Sequence, residues 1–126
     1  MASRPSLRAI VALLLLSGAA ARAQAPAEAD GAALFKQQCS ACHSLDAAET
    51  RQGPTLAGVY GRKPGTAPNF HYSPGFATVD FPAWDEAHLD AYLTNPQAVI
   101  SGAVMPYRQR KAPVREAIIT YLKEQK

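Results

Sequence analysis

Two cysteines stand three positions apart in the run Cys39-Ser40-Ala41-Cys42-His43, and the chain has no others. On a helical turn, thiols at this spacing can each add to a vinyl group of one haem while the next residue, His43, ligates its iron. Two other chemistries use paired cysteines. A redox-active dithiol is expected within a strand-helix-strand pattern, which the surrounding sequence lacks. Half of a zinc site would need further cysteines or a paired histidine motif, and neither is present. Cys39 and Cys42 are therefore read as attachment points for one covalent haem c, with His43 as an iron ligand.

Iron held by one histidine needs a sixth ligand if it is to pass electrons without binding substrate, and a methionine sulfur raises the reduction potential. Apart from Met1, Met105 is the only methionine. It lies between Gly102 and Pro106, in a stretch unsuited to a helix core, although filling core gaps is a common methionine role. His71 and His88 compete for the sixth position. The first sits in a long loop and the second beside Asp85 and Glu86, so both read as solvated surface histidines.

These groups need helices at the ends of the chain and a long irregular middle. Asp30 can open a first helix, with Leu34, Phe35 and Gln38 along one side, over about Asp30 to Cys42. Between Leu45 and Pro82 the glycines and prolines allow only short turns. A loop of that length is uncommon in a small domain unless it covers a ligand. Asp85 can cap a middle helix ending at Thr94, before Asn95-Pro96. One more helical turn fits Pro96 to Ile100, which leaves Met105 on a loop. After Pro113, the spacing of Val114, Ala117, Ile118, Tyr121 and Leu122 predicts an amphipathic terminal helix.

The chain has 126 residues, enough for one domain. Residues 1–23 read as a secretory signal peptide, with Arg4 and Arg8 ahead of the apolar run Ala9 to Leu16 and the triplet Ala21-Arg22-Ala23 at its end. The apolar run is too short to span a bilayer, which disfavours retention as an anchor. Residues 24–29 read as a flexible lead-in, and 30–126 as the monohaem domain. Cleavage removes Arg4, Arg8 and Arg22, so 13 basic residues become 10 against 10 acidic ones. The precursor's net charge of +3 thus gives no reason to expect nucleic-acid binding.

The sequence resembles the class I c-type cytochromes, specifically the mitochondrial-type branch and its bacterial periplasmic relatives, from Gly31 to Leu122. The resemblance rests on Gly31 and Phe35 before the Cys-Ser-Ala-Cys-His run, Gly53-Pro54, the segment Gly61 to Tyr72, Trp84, Tyr92-Leu-Thr-Asn-Pro96, Gly102, Met105 and Tyr121-Leu122. It implies an all-α fold with crossing amino- and carboxy-terminal helices, short middle helices and long loops wrapped around one haem. It further implies that the Pro54 carbonyl accepts the second ring hydrogen of His43. Arg62, Tyr72 and Trp84 look like donors to a buried propionate, although they can also be read as ordinary loop residues. Tyr92 resembles the tyrosine that hydrogen-bonds the methionine sulfur, and Gly31 with Phe35 the contact where the first helix crosses the last.

There are departures from the family pattern. Ala103 stands where a hydroxyl often contacts a propionate, and Gln97-Ala98 replace the lysines of eukaryotic members. Eukaryotic docking partners therefore do not carry over. Arg108, Arg110, Lys111 and Arg115, with Arg62 and Lys63, form either a patch that steers an acidic redox partner or a set of solvated charges. No catalytic nucleophile, phosphate loop or carboxylate pair emerges, so the chain is not read as an enzyme. The expected function is one-electron transfer in the periplasm, with no permanent membrane anchor. The donor would be a dehydrogenase or membrane complex, and the acceptor an oxidase or reductase. The protein would be a monomer or a subunit of a heteromeric redox complex. The alternatives are a dedicated cytochrome subunit of a periplasmic dehydrogenase and a haem peroxidase or ligand-binding protein.

Overall fold

The computed structural model describes residues 30–126, so the expected signal peptide and lead-in, residues 1–29, lie outside the described residues. The elements in order are α1 (Gly31–Gln38), a 3-10 turn (Pro74–Thr78), α2 (Glu86–Thr94), α3 (Pro96–Val99) and α4 (Ala112–Glu124). Among the described residues there is no strand, and the fold is all-α as expected.

Helix α1 opens on Asp30, whose carboxylate accepts the Ala33 N–H at 3.1 Å and so satisfies one of the orphan donors of the first turn. It was expected to continue to Cys42 but ends at Gln38. The Cys39 and Ser40 N–H groups both donate to Phe35 O, after which the Cys42 and His43 N–H groups both donate to Cys39 O. The helix thus tightens into a turn that carries the cysteine pair.

Helix α4 has Pro113 in its first turn, where a missing N–H costs nothing. Its apolar face brings Ile118, Ile119 and Leu122 into the core, Ile118 at 0% exposure. Helices α1 and α4 cross at Gly31. A Cβ there would lie 2.7 Å from Tyr121 Cβ and closer still to the Ala117 carbonyl, so only glycine allows the two backbones to approach this closely. Phe35 then meets Tyr121 with ring centroids 5.7 Å apart.

Asp85 caps α2 by accepting the His88 N–H at 2.8 Å, and Leu89 and Leu93 face inward. Asn95 is extended, with φ −158° and ψ 95°, the conformation that a following proline imposes. This ends α2 and lets Pro96 start the single turn α3. Much of the remaining chain is loop. Two bonds clip that loop together, Gly61 N–H to Trp84 O at 2.7 Å and Trp84 N–H to Arg62 O at 2.9 Å. They hold Arg62 and Trp84 side by side at the entrance to α2.

Candidate metal centre

The turn after α1, the loop after α3 and the long middle loop enclose a cavity of about 280 Å³. Its wall includes Cys39, Cys42, His43, Pro54, Arg62, Tyr72, Trp84, Tyr92 and Met105, all nine residues singled out in the sequence. Leu56, Leu89, Leu93, Ile118 and Leu122 supply much of the apolar lining.

His43 is fixed on two sides. Its Nδ1 lies 2.8 Å from Pro54 O, which only a protonated Nδ1 can use as an acceptor, so Nε2 keeps its lone pair. Gly53 lies flat against the ring, where a Cβ would come 2.6 Å from Nδ1 and 2.9 Å from Nε2. Burial lowers the imidazole pKa, opposed by the Pro54 contact, and this favours the neutral form that a metal requires. Behind the turn, the Arg51 guanidinium donates to the carbonyls of Ser40 and His43 and pairs with Glu49 at 2.8 Å.

Cys39 and Cys42 are not joined to each other, and each is partly buried. Burial pushes the Cys39 thiol up to about 11, the opposite of the depressed value that makes a dithiol redox-active. The Cys42 thiol donates to Gln52 Oε1 at 3.3 Å. Among the described residues no group of three or more His, Cys, Asp or Glu side chains is gathered to hold a metal, so a zinc site has no donor set beyond the turn.

The far wall holds polar groups with spare hydrogen-bonding capacity. Arg62 is half-buried, and its guanidinium donates to Thr55 O at 2.8 Å and Ala57 O at 2.9 Å. Desolvation lowers its pKa, and it forms no ion pair among the described residues. The Tyr72 hydroxyl accepts the Ala67 N–H at 3.1 Å, which leaves its own proton to donate. Ser73 Oγ is buried without a partner, and Ser73 lines the cavity. A cation and unspent hydroxyls facing an otherwise apolar cavity suit a ligand with an apolar body and a carboxylate edge, so the residues present fit a haem. Ser73 was missed in the sequence, where nothing distinguishes one loop serine from another.

Tyr92 is pushed up to about 12, mainly by burial, and packs edge-on to Trp84 with centroids 5.0 Å apart. Met105 is partly buried on an irregular segment and lines the cavity. His71, exposed as expected, stands at the rim. His88 is partly buried rather than simply solvated. It lies outside the cavity wall, 2.7 Å from Asp85 and stacked on Phe81 at 4.0 Å.

The expected basic group separates in space. Arg115 is not a free charge, because it pairs with Asp90 at 2.7 Å and donates to Gln109 O. Arg62 faces the cavity instead of the partner surface. Arg108, Arg110, Lys111 and Lys63 are all exposed.

Sequence comparison agrees with this geometry. The cytochrome c family profile matches residues 28–126. Cytochrome c2 iso-2 of Magnetospirillum fulvum is 45% identical over 86 residues, which span 68% of this chain and 88% of the relative. Cytochrome c2 iso-1 of the same organism is 44% identical over 98 residues, with 75% and 97% covered. Cytochrome c of Ulva intestinalis is 40% identical over 100 residues, with 76% and 87% covered.

Proposed function

The chain belongs to the cytochrome c family, and from that premise we propose that it is a periplasmic one-electron carrier in which His43 and Met105 ligate a low-spin haem c. The observation that carries this reading is the convergence of Cys39, Cys42, His43 and Met105 on one apolar cavity. When bound there, the haem supplies a ferric/ferrous couple.

The protein's residues do the rest. Cys39 and Cys42 would hold the haem through two thioethers, each thiol adding across one vinyl group. Pro54 holds the His43 ring so that Nε2 is available to the iron. Met105 would supply the second protein ligand to the iron, which would leave no site for substrate and limit the chemistry to outer-sphere transfer. Arg62, Tyr72, Trp84 and Ser73 would hold a propionate carboxylate, and Tyr92, beside Met105 in the cavity wall, would donate to the methionine sulfur when the haem is bound. The apolar wall excludes water, which limits how far the surroundings reorganise when the charge changes. The chain is an electron carrier and not itself an enzyme. Removal of residues 1–23 on export and docking to a donor and an acceptor redox protein complete the proposal. No helix among the described residues is long and apolar enough to cross a membrane.

Optical spectra of the purified protein test the ligand set. The reduced form should show the α-band of a thioether-linked haem, and the oxidised form the weak long-wavelength band of sulfur bound to ferric iron. Met105→Ala should abolish the second band and admit carbon monoxide quickly. A wild-type protein that lacks the band and binds carbon monoxide rapidly would refute the carrier reading and favour a ligand-binding or peroxidase role.

A further inference from the structure

The segment carrying Met105 has little backbone support. Ala103 N–H donates to Ile100 O and Gln109 N–H to Leu93 O, and among the described residues no backbone N–H from Val104 to Arg108 donates to another backbone group. Side chains hold the segment instead. Gln97, on α3, donates from Nε2 to Ala103 O at 2.9 Å and to Met105 O at 3.0 Å. Its Oε1 accepts from Arg108 Nη2 at 3.1 Å. A single amide thus ties down the residues on both sides of Val104 and reaches past the methionine. From the other side, Gln38 Oε1 accepts from Tyr107 Oη at 2.7 Å and Gln109 Nε2 at 3.0 Å.

We propose that Gln97 is a positioning residue for Met105, and that its amide donors set the balance between methionine bound to the iron and methionine released. This rests on the reading of Met105 as the sixth ligand. If the segment opens, Ala103 O and Met105 O regain water, so the energy at stake is the net value of two hydrogen bonds to carbonyls. Both donors belong to a neutral group. These two bonds therefore depend little on ionic strength, while the Arg108 contact brings a cation to the other end of the same amide.

Added imidazole is the probe. It binds ferric iron only when the methionine is off, so its apparent affinity scales with the open fraction. Gln97→Ala should bind imidazole about tenfold more tightly than wild type, ~1.4 kcal/mol. Gln97→Glu keeps the size and the acceptor for Arg108 but loses the N–H donors, and should also bind imidazole more tightly than wild type. Val104→Ser, at an 82% exposed neighbour, should match wild type, and the gain in Gln97→Ala should persist at high salt. The urea midpoint of each variant separates this local effect from general destabilisation. If Met105→Ala abolishes the long-wavelength band while both Gln97 variants bind imidazole within about twofold of wild type, the proposal is overturned. It is equally overturned if Val104→Ser shows the same gain as Gln97→Ala. If Met105→Ala leaves the band and the imidazole affinity unchanged, the ligand assignment itself fails and the proposal falls with it.

Discussion

Gly53→Ala should damage the protein through one side chain, the His43 imidazole. A Cβ at position 53 would lie 2.6 Å from Nδ1 and 2.9 Å from Nε2, whereas unstrained heavy-atom contacts sit at ~3.5 to 4.0 Å. The ring would have to retreat by about 1 Å, and the 2.8 Å bond from Nδ1 to Pro54 O opposes that movement. Forcing an extra methyl into a packed site costs ~1 to 3 kcal/mol, and losing the Pro54 bond adds ~1 kcal/mol. The expected loss is therefore about 2 to 4 kcal/mol. Urea unfolding of the haem-loaded protein, followed by fluorescence of Trp84, the only tryptophan, should show the midpoint falling by about 1 to 2 M. Gly58→Ala is the control. A Cβ there meets nothing within 4 Å, but φ is +62°, so it should cost only the ~1 kcal/mol of a left-handed backbone and leave the histidine undisturbed. The reasoning is refuted if Gly53→Ala matches wild type, or if Gly58→Ala is the more damaging of the two.

Other perturbations probe the surrounding structure. Gly31→Ala drives a methyl into Ala117 and Tyr121 where α1 crosses α4, and should cost ~1 to 3 kcal/mol in the same urea assay without altering the iron spectrum. Arg62→Met removes a half-buried cation, and voltammetry should show the reduction potential falling by about 30 to 60 mV, because a nearby positive charge favours ferrous iron. Asp85 has its pKa held below the usual carboxylate range, first by the His88 N–H and also by the His88 ring. Its stabilising effect should be complete above its unfolded pKa and lost as pH falls through the lowered folded value. The stability gap between wild type and Asp85→Ala should accordingly close in acid, as read by unfolding curves at several pH values.

The attachment run Cys39 to His43 was legible in the sequence because its chemistry needs only neighbouring residues. The helix at 86–94 was legible from its Asp85 cap and apolar spacing, and the one at 112–124 from apolar spacing alone, although it begins at Ala112 rather than after Pro113. Met105 stood out as the one methionine beyond Met1. The end of α1 was placed too late, because Cys39 to Cys42 have acceptable helical propensity and the turn is set by how the chain meets the cavity.

Local signals did not reveal the roles of residues whose partners are distant. Tyr107 finds Gln38 across 69 positions, and Arg115 finds Asp90 across 25. No sequence pattern marks Ser73 as the hydroxyl left without a partner beside the cavity, or Gln97 as the amide that ties the methionine loop. The sequence alone determined which groups are available for the chemistry and which segments coil, since covalent reactivity and helix periodicity are local properties. Only the tertiary structure decided which charges are paired, which donors are unspent and what holds the ligand loop, since hydrogen bonding and burial depend on residues that the fold brings together from far along the chain.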